Sequence, residues 1–243
     1  MTRCARCFPP STRNTSARSE PRIPTVQSRS VGSRGSAGER LVIILIVFGY
    51  MTIASIISVI GGHREFEYTN AAVLEVLLIE LALGGAAAIL LQRNGWTLRD
   101  FGFEISARGT LAAAALYFGT NFVCAVVYLF TSQAGLLTGW ADTPVRFVAT
   151  PALMLLFLVV NSFFEELFVV GYLIEATPAS EAAFAVSVSA LVRLLYHTYQ
   201  GPLAIATILP LGVIFAAVYL KWRNLWPLVL AHTAMNVAGW AAD

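Results

Sequence analysis

The stretch NSFFEELFVVGYLIEA, residues 161–176, is apolar enough to sit in a bilayer, yet it carries Glu165 and Glu166 side by side. A charged side chain in hydrocarbon is costly, needs a partner, and by default marks a functional site. The surroundings are membrane-like throughout. Of 243 residues, 57% are hydrophobic and 12% are charged, whereas a soluble domain carries about 25% charged residues. The chain therefore reads as an integral membrane protein whose solvent is the lipid bilayer. No nucleic-acid partner is expected.

Working outward from that stretch, seven segments approach the roughly 20 apolar residues that a spanning helix needs. They are 41–60, 70–91, 110–131, 147–175, 181–199, 201–220 and 225–241. Residues 1–40 differ. They hold eight arginines, two glutamates, much Ser, Pro and Gly, and no apolar period. That composition predicts a disordered, basic tail. The expected fold is an all-α polytopic bundle of about seven spans, residues 41–243, behind that tail. The basic residues also set an orientation. With the N-terminus inside, the inner segments carry thirteen Lys and Arg and the outer loops only Arg64 and Arg146. This bias predicts a cytoplasmic N-terminus and, with seven spans, a C-terminus outside; a bacterial plasma membrane is the expected location. Cys4 and Cys7 form a lone C-x-x-C in the tail, read as two reduced thiols. Cys124 lies within a span and is expected in the core.

The polar groups within spans are few: Glu75, Glu80, Glu165, Glu166, Arg193, His197 and His232, with Asn161 and Asn236. Arg193 and His197 are four apart in RLLYH, and His232 and Asn236 are four apart in HTAMN. Each pair therefore shares a helix face. Glu165 and Glu166 are about 100° apart around a helix, so one is expected to face a cavity while the other turns to a neighbouring helix. Counted from the inner edge, Glu165, His232 and Asn236 lie roughly 10–16 Å deep, and His197 roughly 24 Å, further out than the rest. A carboxylate, two imidazoles and a carboxamide in a low-dielectric site can hydrolyse a peptide bond. The carboxylate takes a proton from water, and His or Asn donors stabilise the oxyanion. Alternatively, Glu and two His hold a divalent metal such as zinc that activates the water. No H-E-x-x-H and no serine or cysteine nucleophile motif is present. Histidines in spans also commonly just bridge helices.

Three motifs, FFEELFVVGYL, LVRLLYHTYQG and LAHTAMN, resemble in order and spacing those of the CAAX prenyl protease and bacteriocin-processing (Abi) family of intramembrane proteases. The resemblance covers residues 147–240, and RNGWTLRDFGFE, residues 93–104, resembles the cytoplasmic segment that often precedes that domain. It implies that Glu165 activates the attacking water with His197, and that His232 and Asn236 stabilise the oxyanion. The implied substrate is a membrane-associated peptide or protein. Members are described both as metalloproteases, for which Glu165, His197 and His232 would be the ligands, and as metal-independent glutamate proteases. Two positions depart from the family pattern. Val170 stands where the first motif has Arg, and Arg193 stands where the second has Phe. The two changes read as linked, with Arg193 pairing with Glu166.

Two other classes compete. A non-catalytic relative would keep the fold as a membrane scaffold or immunity factor, and the lost arginine at Val170 favours it. A small transporter would use Glu80 and Glu165 as a proton relay. Against that stand the lack of internal repeats and the clustering of polar groups late in the chain.

Overall fold

The computed structural model describes residues 35–62, 66–137 and 145–242. Cys4, Cys7, His63, Arg64 and residues 1–34 of the expected tail lie outside them.

Six helices are long and apolar enough to cross a membrane: Ala37–Ile60 (α1), Asn70–Arg93 (α2), Ala107–Gln133 (α3), Pro151–Glu175, Ala179–Tyr196 and Leu203–Trp222 (α7). Pro151–Glu175 divides into α4 (Pro151–Glu165), a π-helical segment (Glu166–Tyr172) and a last turn, α5 (Leu173–Glu175). Ala179–Tyr196 is a short 3-10 turn followed by α6 (Ala182–Tyr196). The seventh expected segment is α8, Trp226–Ala241, of 16 residues. At 1.5 Å per residue it is about 24 Å long, short of a hydrocarbon layer of about 30 Å.

Local sequence sets the helix starts. Ser36, Thr69 and Ser106 accept hydrogen bonds from the backbone of Glu39, Ala72 and Gly109 and so cap α1, α2 and α3. Proline opens α4, where its missing N–H costs nothing. The first helix thus begins at Ala37, inside the expected tail. Glu39 and Arg40 are fixed rather than free. Glu39 accepts from Asn94 Nδ2 (2.7 Å), Trp96 Nε1 (3.0 Å) and Tyr172 Oη (3.0 Å), and Arg40 donates to the Ala176 carbonyl at 2.8 Å.

The described parts of the four segments read as one side of the membrane gather at one end of the bundle. Besides the Glu39 contacts, Arg223 pairs with Glu175 at 2.9 Å, and the Leu225 N–H donates to the Gly102 carbonyl at 3.1 Å. Gly102 has φ 62°, and an added Cβ would lie 1.9 Å from the Arg223 carbonyl oxygen. Only glycine fits there.

At the opposite end a short parallel ladder joins Phe66–Tyr68 (β1) to Val145–Phe147 (β2), pairing Phe66 with Val145, Glu67 with Arg146 and Tyr68 with Phe147. Nothing in the sequence pattern announced it, since three-residue strands carry too little alternation to read. It covers a small cluster of Val73, Ala149, Met154, Phe157 and Leu158.

The main core centres on Phe48, Phe164, Phe168, Tyr172, Phe215 and Tyr219. Pro151–Glu175 runs through the middle, 61% buried against 22–39% for the other five. Around it, α2 and α8 pack on α4, α6 packs on α1 and α7, and α3 packs on α7 and α8. Gly212 of α7 lets the Ala190 backbone of α6 approach to 3.2 Å of where a Cβ would stand, and the Arg193 side chain runs past the same point at 3.5 Å. Large apolar side chains such as Leu111, Phe118 and Phe122 of α3 remain exposed. Such a surface suits lipid rather than water.

Candidate active site

Glu165 ends α4 and Glu166 begins the π segment, which widens the turn at this point. π-bulges of this kind occur frequently at functional sites. The two carboxylates are 4% and 0% exposed, and both meet one fully buried guanidinium. Arg193 of α6 donates from Nη1 to Glu165 Oε2 at 3.1 Å and from Nη2 to Glu166 Oε1 at 2.7 Å. This corrects the expectation that the two glutamates would serve separate surroundings. Neighbouring side chains leave the helix in different directions, but the planar fork of arginine presents two terminal nitrogens and bridges both. A charge-assisted pair with each carboxylate offsets the cost of burying them.

Each carboxylate has further partners. Glu165 Oε2 also accepts from Tyr196 Oη at 2.7 Å. Glu165 Oε1 accepts from Asn161 Nδ2 at 3.2 Å. Glu166 Oε1 meets His232 Nδ1 of α8 at 2.7 Å. Because an ionised carboxylate only accepts, Nδ1 carries the proton in that contact and Nε2 points the other way.

The remaining expected residues sit at the margin of this cluster. His197 caps the end of α6, and its Nδ1 lies 2.9 Å from the Arg193 carbonyl. A carbonyl can only accept, so this ring too is protonated at Nδ1 and presents Nε2. Asn236 is one turn beyond His232, and its Nδ2 donates to Ser162 Oγ at 3.3 Å. Among the described hydrogen bonds, none joins His197 or Asn236 to Glu165. The Nδ1 bond of His197 goes to the backbone of its own helix.

Tyr196, Asn161 and Glu80 also belong to the cluster. Tyr196 is three residues from Arg193 in RLLYH, and Asn161 is four from Glu165, so both share the site's helix faces. Spacing could have found those two. Glu80 on α2 had no such signal: its link to the site is Asn161 Nδ2, which donates to Glu80 Oε1 at 2.6 Å. Over the cluster, toward the strand end, Tyr68 hydrogen-bonds Tyr199. The neighbouring Tyr199 and then burial hold the Tyr68 hydroxyl well above the ordinary tyrosine range, so it stays a neutral donor.

The Glu165–Glu166 pair by itself does not suit a metal ion. Glu165 and Glu166 already accept from a guanidinium, and a divalent cation between them would face the Arg193 charge at close range. Among the described residues, no group of three or more His, Cys, Asp or Glu is arranged to hold one.

Residues 147–238 match the family model for Rce1-like proteins, type II CAAX prenyl endopeptidase Rce1-like. The match takes in α4 through most of α8, and therefore Glu165, Glu166, Arg193, His197, His232 and Asn236. It covers less than half of the chain and leaves out α2 with Glu80. No curated protein and no solved structure matches the chain.

Proposed function

We propose that the chain is an intramembrane endopeptidase that hydrolyses a peptide bond of a membrane-associated substrate. The observation that carries this is the state of Glu165. It is 4% exposed, its Oε2 is taken by Arg193 and Tyr196, and its Oε1 accepts a single long bond from Asn161. Oε1 is therefore the oxygen with a lone pair for a proton.

In this reading a water gives a proton to Oε1 as its oxygen bonds to the peptide carbonyl carbon. The oxyanion meets the second amide hydrogen of Asn236 and, with the ring doubly protonated, the Nε2–H of His232, one turn apart on α8. The C–N bond then breaks and Glu165 returns the proton to the leaving nitrogen. His197 presents Nε2 toward the water. Glu166 and Arg193 hold the base and the His232 ring. The match at 147–238 supports the reading, and its printed name makes a prenylated C-terminal peptide one substrate class to try. The same proposal places the chain in a bacterial plasma membrane with a cytoplasmic N-terminus, on the thirteen-to-two basic bias. Counting α8 as a seventh crossing puts the C-terminus outside.

The second reading is a non-catalytic relative acting as a scaffold or immunity factor. The direct Arg193 clamp on Glu165 favours it, together with Val170 at the family's arginine position. Glu165→Gln separates the two. It keeps shape and polarity and removes the base, so cleavage of a membrane-tethered reporter peptide in liposomes should fall by about 10²–10⁴-fold while the protein stays folded. Glu166→Gln should cost less activity and more stability. Cleavage by Glu165→Gln at the parental rate would refute the assignment. Precursors that accumulate in membranes carrying Glu165→Ala would identify the substrate.

A further inference from the structure

Glu80 is a carboxylate that the hydrolytic scheme above does not use, and it is placed expensively. It is 1% exposed on α2, and its Oε2 is buried with no hydrogen-bond partner among the described residues. A polar group this costly to bury calls for a reason. Its one bond is short and goes to Asn161 Nδ2 at 2.6 Å. The same nitrogen donates to Glu165 Oε1 at 3.2 Å. A carboxamide nitrogen has two hydrogens in a fixed plane. With one held tightly by Glu80, the amide cannot turn, and the other hydrogen is aimed at Glu165.

We propose that Glu80, acting through Asn161, is a positioning residue for the carboxylate of Glu165. The proposal rests on the peptidase reading. Arg193 and Tyr196 fix only Oε2, which leaves the carboxylate free to swing about that oxygen. Asn161 supplies the third point that fixes its plane and so the direction of the open lone pair on Oε1. Asn161 is an α4 side chain one turn from Glu165 and could rotate away. The short bond to α2 stops it. The site is thus completed from outside the segment that matches the family model. An ordinary interhelical bond would need only the Glu80–Asn161 contact. The second, longer bond to Glu165 is what makes the pair a tether.

The test compares Glu80→Leu, Glu80→Gln and Asn161→Ala in the full-length protein. Glu80→Leu removes the acceptor and frees the amide. Turnover of the reporter peptide should fall by up to about 10²-fold, as misplacement by an ångström does, with KM little changed. Glu80→Gln keeps an acceptor oxygen and should recover most of the loss. Glu80→Leu combined with Asn161→Ala should cost no more than either alone, because the two act as one unit. A second arm needs no substrate. The Asn161 side-chain amide is followed by NMR in asparagine-labelled protein, and the Glu165 carboxyl carbon in glutamate-labelled protein, each assigned by its own substitution. Glu80→Leu should move both signals. If it moves neither, the tether does not exist. If it moves both while turnover is parental and Glu165→Gln is inactive, the tether exists but does not position the base, and the proposal falls. If the parental protein cleaves nothing, the peptidase reading fails, and the spectra alone decide whether Glu80 holds Glu165. Glu80→Ala carries the same test should the leucine variant not fold.

Discussion

Removing the Arg193 guanidinium strands two carboxylates at once. Arg193→Ala deletes two charge-assisted bonds, at 2.7 and 3.1 Å, in a cluster with at most 5% side-chain exposure. Hydrogen bonds to charged groups contribute about 1.5–3 kcal/mol each. Two of them bracket the about 3–5 kcal/mol typical of breaking a buried pair by removing one partner. The remaining contacts soften the loss without replacing it, since Glu165 keeps Tyr196 and Asn161, and Glu166 keeps His232. Arg193→Lys should fall between, because a single ammonium cannot fork to both glutamates. The double variant Arg193→Ala, Glu166→Gln should be less damaged than the sum of its parts, with a coupling on the order of 2 kcal/mol. Val170 is fully buried in the main core, so Val170→Arg alone overpacks and should cost about 1–3 kcal/mol. In the Arg193→Ala background it restores a cation four residues from Glu166 and should recover part of the loss. The assay is reversible unfolding in mixed micelles, followed by tryptophan fluorescence. A coupling below about 0.5 kcal/mol with both single variants folded, or a Val170→Arg that worsens Arg193→Ala, would refute the reasoning.

Two further outcomes test the frame around the site. Gly102→Ala forces a side chain into the left-handed region, about 1–2 kcal/mol by itself, and onto the Arg223 carbonyl oxygen at 1.9 Å. The melting temperature should drop clearly, and an unchanged value would mean that the contact between Gly102 and the 223–225 turn is not formed. For orientation, Cys4 and Cys7 should react with an impermeant thiol reagent only after the membrane is opened. Cys124 is buried and gives little background, and labelling in intact cells would reverse the assignment of sides.

The sequence alone settled what depends on local composition. Apolar runs of spanning length made the chain a membrane helix bundle, and the six long helices follow those runs closely. Spacing put His232 with Asn236 and Arg193 with His197 on shared faces, because helix periodicity is a property of neighbours in the chain. The departures at Val170 and Arg193 even suggested an ion pair across two helices.

Partner choice was another matter. That Arg193 forks onto both glutamates and that His232 turns to Glu166 both depend on how α4, α6 and α8 cross. So does the role of Glu80, which reaches Glu165 only because α2 lies against α4 and Asn161 stands between them. The π turn at Glu166–Tyr172 changes side-chain direction at the one place where a fixed angle of 100° per residue had been assumed. Sequence separation says nothing about such contacts. They are fixed by the packing of helices whose apolar faces could pair in many ways, and the buried charges select the arrangement in which each finds a partner.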